Sequence, residues 1–378
     1  MKIILNTATL RFGGAIQVAL SLIHECRHFP EHEYHVFVGE GVARSLKEED
    51  YPDNFHFYSF SFGPVSLQKS RVISKALSKL EAQIVPDCVV STSGPSYWHS
   101  QAPQLMGYNL PLYIYPDSPH FWSLSLYRRL RVLVKRKLHF YFFRRDATAF
   151  LVQTDDVNRR LRKALGVEKV YTVSNNHSNH FLAPARGHSP LPPRAEGEWR
   201  LLTLTSYYPH KNLDIIPAIL RLLEKRGYRK LRFVTTIDDA NYQGLVPAEY
   251  RDRVINLGRV NPEDCPALYR DSDILFQPSL AECFSASYPE AMVMKKPIVT
   301  TDLGFARDIC GDAALYYFPK DPLSATDAII RLVSDSSLQE RLIDQGLQEL
   351  KKFDSARERA EKILNICKTL SWEQTNAQ

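Results

Sequence analysis

The sequence predicts an α/β protein built from two doubly wound domains facing each other across a cleft, and three observations carry that prediction. Short apolar runs alternate with amphipathic stretches from end to end, the pattern of parallel strands joined by helices. A length of 378 residues accommodates two to three domains of roughly 150 residues each. The alternation stops once, over 181–198, where Pro184, Gly187, Pro190, Pro192 and Pro193 gather as they do in a linker, and then restarts. The expected division is therefore 1–180, a linker at 181–198, and 199–354, with a C-terminal helix near 355–372 packing back on the first domain.

In the first domain, residues 2–6 read as a strand, Gly13-Gly14 as a tight turn and 15–26 as a helix. Further strands are expected at 34–38, 88–90, 113–115 and 149–153, each apolar and ending in polar or turn residues. The second domain opens with a strand at 200–205, a helix from 212 to 225 and a strand at 231–236. Strands at 254–258 and 274–277, a helix at 287–294 and strands at 297–300 and 314–318 follow. The remainder, 324–370, reads as helical.

Composition excludes several classes. Hydrophobic residues make up 44 % and charged residues 24 %, so a core of normal size forms and global disorder is excluded. Six cysteines without a C-x2-C pair read as reduced thiols of a cytoplasmic protein. No stretch reaches the ~18 apolar residues of a membrane span. Neither G-x-G-x-x-G nor a Walker A motif is present, which removes support for dinucleotide redox chemistry and for phosphoryl transfer from ATP. The twelve histidines include no H-E-x-x-H and no Cys/His cluster, so no metal site is expected. Asp271-Ser272-Asp273 has a D-x-D form but precedes a strand, facing the wrong end of a sheet, and reads as helix-end carboxylates.

The most informative segment is PSLAECFSASYPEAMVMKKP, residues 278–297. A strand ends at Pro278, a loop carries Glu282, and a helix begins near Ser287 with Glu290 in its first turn. Both carboxylates lie at the carboxyl end of a parallel strand, where open α/β sheets bind ligands. Backbone N–H groups around Phe284, Ser285 and Ser287 would point out of the helix start toward an anion. Ser287-x-x-Glu290 reads equally as a capping box, with Pro289 tolerated in the first turn. Lys211, in TSYYPHKNLDIIPAIL, sits where the macrodipole disfavours a cation, which hints at an anionic partner.

This arrangement resembles the E-x7-E signature of retaining glycosyltransferases of the GT-B fold, family 4. The flanking ILFQPS, EAM, KKPIVTTDLG and GDAALYYF match in order, and KIILN…GG, PDCVVSTSG and QTDDVNRRL…VSNN match more loosely in the first half. The resemblance implies that Glu290 binds the ribose hydroxyls of a nucleotide-diphosphate sugar, that Glu282 faces the transferred sugar and that Lys211 reaches the diphosphate. The family usually places an Arg five residues before that Lys; here the residue is Ser206, and Arg259 is the candidate replacement. Gly13 and Gly14 match the family's glycine loop. Gly107-Tyr108-Asn109 stands where a His-Asp pair is common, leaving Asp117 and His120 as acceptor-side candidates. The family is usually metal-independent, so no cofactor is expected, the nucleotide sugar being a substrate.

Residues 127–145 carry eight cations and no acid; without them 40 basic residues face 42 acidic ones, so the net charge of +6 resides in one segment. Leu126, Leu130, Leu133, Val134, Leu138 and Tyr141 recur at helical spacing, and the aromatic run HFYFF is interleaved with the charge. Arg128, Arg129, Lys135 and Arg136 are thus candidates for contact with an anionic membrane. The expected function is transfer of a sugar, with retention, to a glycan or lipid-linked acceptor in cell-surface polysaccharide synthesis. The setting is cytoplasmic, peripheral on the inner face of the membrane, with no nucleic-acid partner. A GT-B nucleotide-sugar epimerase and a non-catalytic nucleotide-sugar or membrane-binding scaffold are the alternatives.

Overall fold

The computed structural model describes residues 1–182 and 189–377. Pro184 and Gly187 of the expected linker lie outside these residues. The chain forms two compact units: residues 1–114, 126–175 and 354–378 make the first, and 115–125 with 176–353 make the second. Residues 115–125, expected within the first domain, belong to the second unit.

The first unit is a seven-stranded, all-parallel sheet. Its strands are β1 (Lys2–Asn6), β2 (Glu33–Gly39), β3 (Phe55–Phe60), β4 (Cys88–Ser91), β5 (Gln104–Gly107), β6 (Ala149–Val152) and β7 (Val170–Thr172), ordered 3-2-1-4-5-6-7. Period-two alternation splits its core between the two faces. Ile3 and Leu5 pack on the face covered by the helices Gly14–Glu25 and Ala356–Ala377, whereas Ile4 joins Phe37, Val89 and Trp98 on the other. The expected strand at 113–115 is absent: Pro111–Tyr113 is a 3-10 turn, and β5 occupies that place in the sheet. Gly107 closes β5 because a Cβ there would meet the Thr92 carbonyl oxygen at 2.3 Å.

The second unit is a six-stranded parallel sheet of β8 (Trp199–Thr203), β9 (Leu231–Thr235), β10 (Val254–Asn256), β11 (Ile274–Gln277), β12 (Ile298–Thr301) and β13 (Ala314–Tyr317), ordered 10-9-8-11-12-13. Its core is aliphatic and aromatic, with Phe233, Phe276, Val299 and Tyr317 from the sheet against Ile216, Leu220 and Leu332 from flanking helices. The described part of the expected linker, 189–198, belongs to this unit. Arg194 donates to both carboxylate oxygens of Asp273 and to the Asp271 carbonyl, and Glu198 is buried against Arg200. The long helical segment expected over 324–370 is three helices, Pro322–Ser334, Ser336–Leu350 and Ala356–Ala377, the first two separated by Asp335, which caps the second. Among the described residues, no helix is long and apolar enough to cross a membrane.

Candidate active site

In the second sheet the chain winds outward from β8 to β9 on one side and from β11 to β12 on the other, so the order reverses between β8 and β11. At such a switch point the loops leaving the carboxyl ends of the two strands diverge and open a crevice. The two strands are hydrogen-bonded neighbours, Leu202 facing Leu275 in register. The loop after β8 carries Lys211, and the loop after β11 carries Glu282.

Lys211 does not lie at a helix start. It ends the 3-10 turn Pro209–Lys211; Asn212 then takes a left-handed conformation (φ 55°), and a second turn, Leu213–Ile215, precedes the helix Ile216–Lys225. Pro217 in the first turn of that helix and the left-handed Asn212 are what delay it relative to the expected start at 212. Lys211 Nζ donates to Glu282 Oε1 at 2.5 Å, with both side chains largely withdrawn from water.

The Glu282 loop is held by its backbone. Leu280 N–H donates to the His210 carbonyl at 2.7 Å, and Ser118 Oγ donates to the Leu280 carbonyl at 2.8 Å. Thr301 Oγ1 donates to the Ser279 carbonyl, and Gln277 Nε2 bridges Ser279 Oγ and Ser285 Oγ. Leu280, Ala281, Cys283 and Ser285 are all buried, so the loop is a packed element and Glu282 is presented without slack. Phe284 is half-buried, its ring edge-on to Phe353.

The helix Ser287–Val293 settles the capping alternative. Its N-cap is Ala286 with no side-chain cap bond, and Ser287 Oγ points instead to the Leu204 carbonyl at 3.4 Å. Glu290 therefore closes no capping box. Its Oε2 lies 2.9 Å from the Tyr269 hydroxyl, which is also 3.2 Å from the Ser287 carbonyl. Enclosure of the carboxyl pushes Glu290 up to about 7. Protonated, it donates to the Tyr269 oxygen while that hydroxyl donates to Ser287; ionised, it accepts from Tyr269.

Two histidines join this cluster. His120, buried in the segment 115–125, lies with its ring 6.1 Å from that of His210, and His210 stacks on Tyr208. Burial lowers His210 to about 4, against the pull of the Glu282 charge, so its imidazole is neutral near pH 7; burial lowers His120 as well. His210 is absent from the sequence expectations, and its only signal there is adjacency to Lys211. Ser206 and Arg259 are exposed, as is Asp117. Asp271 and Asp273 are occupied by Arg270 and Arg194 at the opposite, amino end of β11.

In the first unit, Gly13 and Gly14 follow β1 at that sheet's own switch point, between β1 and β4. Gly13 caps the helix Gly14–Glu25 at φ 86°, a conformation that favours glycine, and a Cβ at either position would meet nothing within 4 Å. The basic segment is the helix Leu126–Asp146, with a corrected orientation. Phe140, Phe142 and Phe143 of its aromatic run are buried and anchor it, whereas Leu126, Tyr127, Leu130 and Val134 are exposed alongside Arg128 and Lys135. Arg129 is half-buried. Arg136 turns inward, donating to the Tyr113 carbonyl at 2.9 Å and covering the Phe140 ring.

Residues 192–349 match the family model of glycosyl transferases group 1. O-antigen chain mannosyltransferase B of Escherichia coli is 32 % identical over 117 residues, 31 % of this chain and 30 % of that protein. The curated relatives are matched over only 30–36 % of their own lengths. A crystal structure of a glycosyltransferase from Rickettsia africae superposes with TM-score 0.71 at 15 % identity, covering 98 % of both chains. Anabaena HepE in complex with UDP and glucose superposes with TM-score 0.70 at 15 % identity, covering 98 % of this chain and 100 % of that one. Residues 192–349 therefore resemble glycosyl transferases of group 1, and the two parallel-sheet α/β units share their fold with solved glycosyltransferase structures.

Proposed function

We propose that the protein is a retaining glycosyltransferase that moves a sugar from a nucleotide-diphosphate sugar to a glycan or lipid-linked acceptor in cell-surface polysaccharide synthesis. The observation that carries this reading is the Lys211–Glu282 ion pair at the β8/β11 switch point, with Glu290 on the helix that follows the Glu282 loop. The related E. coli mannosyltransferase and the UDP- and glucose-bound Anabaena structure support it.

Donor binding exchanges partners within that pair. The diphosphate takes over the Lys211 ammonium, and Glu282 is released to accept hydrogen bonds from the hydroxyls of the transferred sugar. Glu290 accepts from the ribose hydroxyls. The helix that begins at Ser287 is only seven residues long, so Lys211 is the principal cation for the charge that develops on the leaving group. The acceptor hydroxyl attacks the anomeric carbon from the face the diphosphate leaves, its proton passing to a diphosphate oxygen as the glycosidic bond forms. No resident metal is needed in this scheme. Phe284, Ser285, Ser206 and Arg259 complete the donor-binding set of the second unit, and Asp117 and His120 are the acceptor-side residues.

The exposed face of the helix Leu126–Asp146 docks on an anionic membrane surface, where lipid-linked acceptors reside. Leu126, Tyr127, Leu130 and Val134 supply apolar area beside the cations. A thermal-shift panel of UDP-, GDP-, ADP- and dTDP-sugars tests the donor class, because a ligand that binds only the folded state raises Tm. A shift with one base and none with the others identifies the donor; no shift with any of them contradicts the proposal.

A further inference from the structure

Sequence spacing conceals one constellation that the parallel register of the first sheet assembles. Strands β2 and β3 pair with His35 opposite His56, and Glu33 lies two residues before His35 on the same face. The three side chains converge. Glu33 Oε1 is 3.0 Å from His35 Nε2 and 3.4 Å from His56 Nε2, and one ligand atom from each residue fits within 4.8 Å of the others. The imidazole rings are 4.9 Å apart at 33°.

We propose that Glu33, His35 and His56 form a binding site for a borderline divalent transition-metal ion, of the Zn2+ or Co2+ class. Two imidazole nitrogens and one carboxylate oxygen are the donor set such ions favour over Mg2+ or Ca2+, which take oxygen. The surroundings fit the assignment. The Tyr58 hydroxyl lies 3.1 Å from His35 Nδ1. When Nδ1–H donates to that hydroxyl, the Nε2 lone pair is left facing Glu33 and His56, the arrangement by which an outer partner fixes the tautomer of a metal-bound histidine. His35 is buried and supplies a rigid base, while Glu33 and His56 are partly exposed, giving an ion a path in from solvent and room for water in its remaining positions.

The ion joins the edge strand β3 to β2 through side chains, at the amino ends of the strands. That is the sheet end opposite the Gly13-Gly14 turn that follows β1, so the site is independent of the donor-site reading and stands or falls without it. Its expected role is to hold the edge strand in register.

The test is titration of the chelator-treated full-length protein with CoCl2, read by visible absorption, with Tm measured in parallel with and without ZnCl2. The expected result is a d–d band that saturates with a single ion and a Tm raised by Zn2+. His56→Ala and Glu33→Gln are expected to weaken Co2+ binding at least tenfold, and Tyr58→Phe to weaken it about tenfold, the lower end for loss of an outer partner. Glu33→Gln keeps the shape of the side chain, so it reports on the site even if His56→Ala perturbs the strand. Absence of the band in the wild-type protein overturns the proposal. So does a band that both His56→Ala and Glu33→Gln retain at wild-type affinity.

Discussion

The Lys211 ammonium and the Glu282 carboxylate, 71 positions apart, meet at 2.5 Å because their loops leave adjacent parallel strands. Their side chains are 15 % and 9 % exposed, so each would be costly to leave alone. Breaking a buried pair costs about 3–5 kcal/mol, and the residual exposure here puts Glu282→Gln at the lower end, about 3 kcal/mol. Lys211→Met added to Glu282→Gln removes the stranded cation, and the double variant recovers about 1–3 kcal/mol relative to the sum of the singles. Urea denaturation of the three variants measures this coupling. Additive losses would mean that the two charges do not depend on each other.

Glu290 makes a pH-dependent prediction of unusual sign. Its carboxyl is raised by burial from 4.5 to about 7, so between those values the folded protein holds a proton that the unfolded chain has released. The contribution of this group therefore lowers stability as pH rises through that window, with no further change above it. Glu290→Gln removes the effect. Its Tm relative to wild type should climb between pH 4.5 and 7 and stay higher above, while nucleotide binding weakens. A Tm difference that does not vary with pH contradicts the assignment.

His210 contributes in the opposite direction. Burial lowers it from 6.5 to about 4, so below pH 6.5 the unfolded chain takes up the proton first and stability falls as pH drops toward 4. His210→Phe keeps an aromatic ring against Tyr208 and cannot titrate. The difference in urea midpoint between pH 7 and pH 5 should be smaller in the variant than in wild type; an equal difference would place His210 in solvent.

On the proposed membrane contact, the cations of the basic helix have two tasks. Reversing Arg128, Arg129 and Lys135 removes attraction of about 1 kcal/mol per residue near an anionic leaflet and should release the protein from phosphatidylserine vesicles in a sedimentation assay. Replacing Leu130 and Val134 with Ser should do the same without altering charge, since both are exposed. Arg136→Glu should instead lower Tm, because Arg136 holds the Tyr113 carbonyl. Vesicle binding that survives both sets of changes removes this helix from the membrane contact.

Much of the architecture is legible in one dimension, for reasons visible in particular residues. Runs such as Lys2–Asn6 and Ile274–Gln277 are apolar because both faces of a parallel sheet are covered, and Glu282 and Lys211 stand out as charges placed just past such runs. What escapes the sequence depends on partners far along the chain. Gln104 opens β5, where a polar residue argues against a buried strand; its side chain is satisfied by Ser91 and by the carbonyls of Trp98 and Asp146. The aromatic run at 139–143 looks like a membrane anchor until Phe140, Phe142 and Phe143 are seen in the core. Residues 115–125 read as part of the first domain, yet Ser118 bonds to the Leu280 carbonyl and His120 lies beside His210, contacts that no local pattern encodes. The capping box at Ser287 fails because the helical turn begins at Ala286.

In the proposed reaction Lys211 meets the diphosphate of a nucleotide-sugar donor. Isothermal titration with the nucleoside diphosphate and with the matching nucleoside, on wild type and Lys211→Ala, tests it most directly. Loss of a charged hydrogen bond of about 1.5–3 kcal/mol predicts diphosphate affinity weaker by roughly ten- to 150-fold, with nucleoside affinity unchanged. Equal diphosphate affinity in the two proteins would remove Lys211 from the diphosphate site.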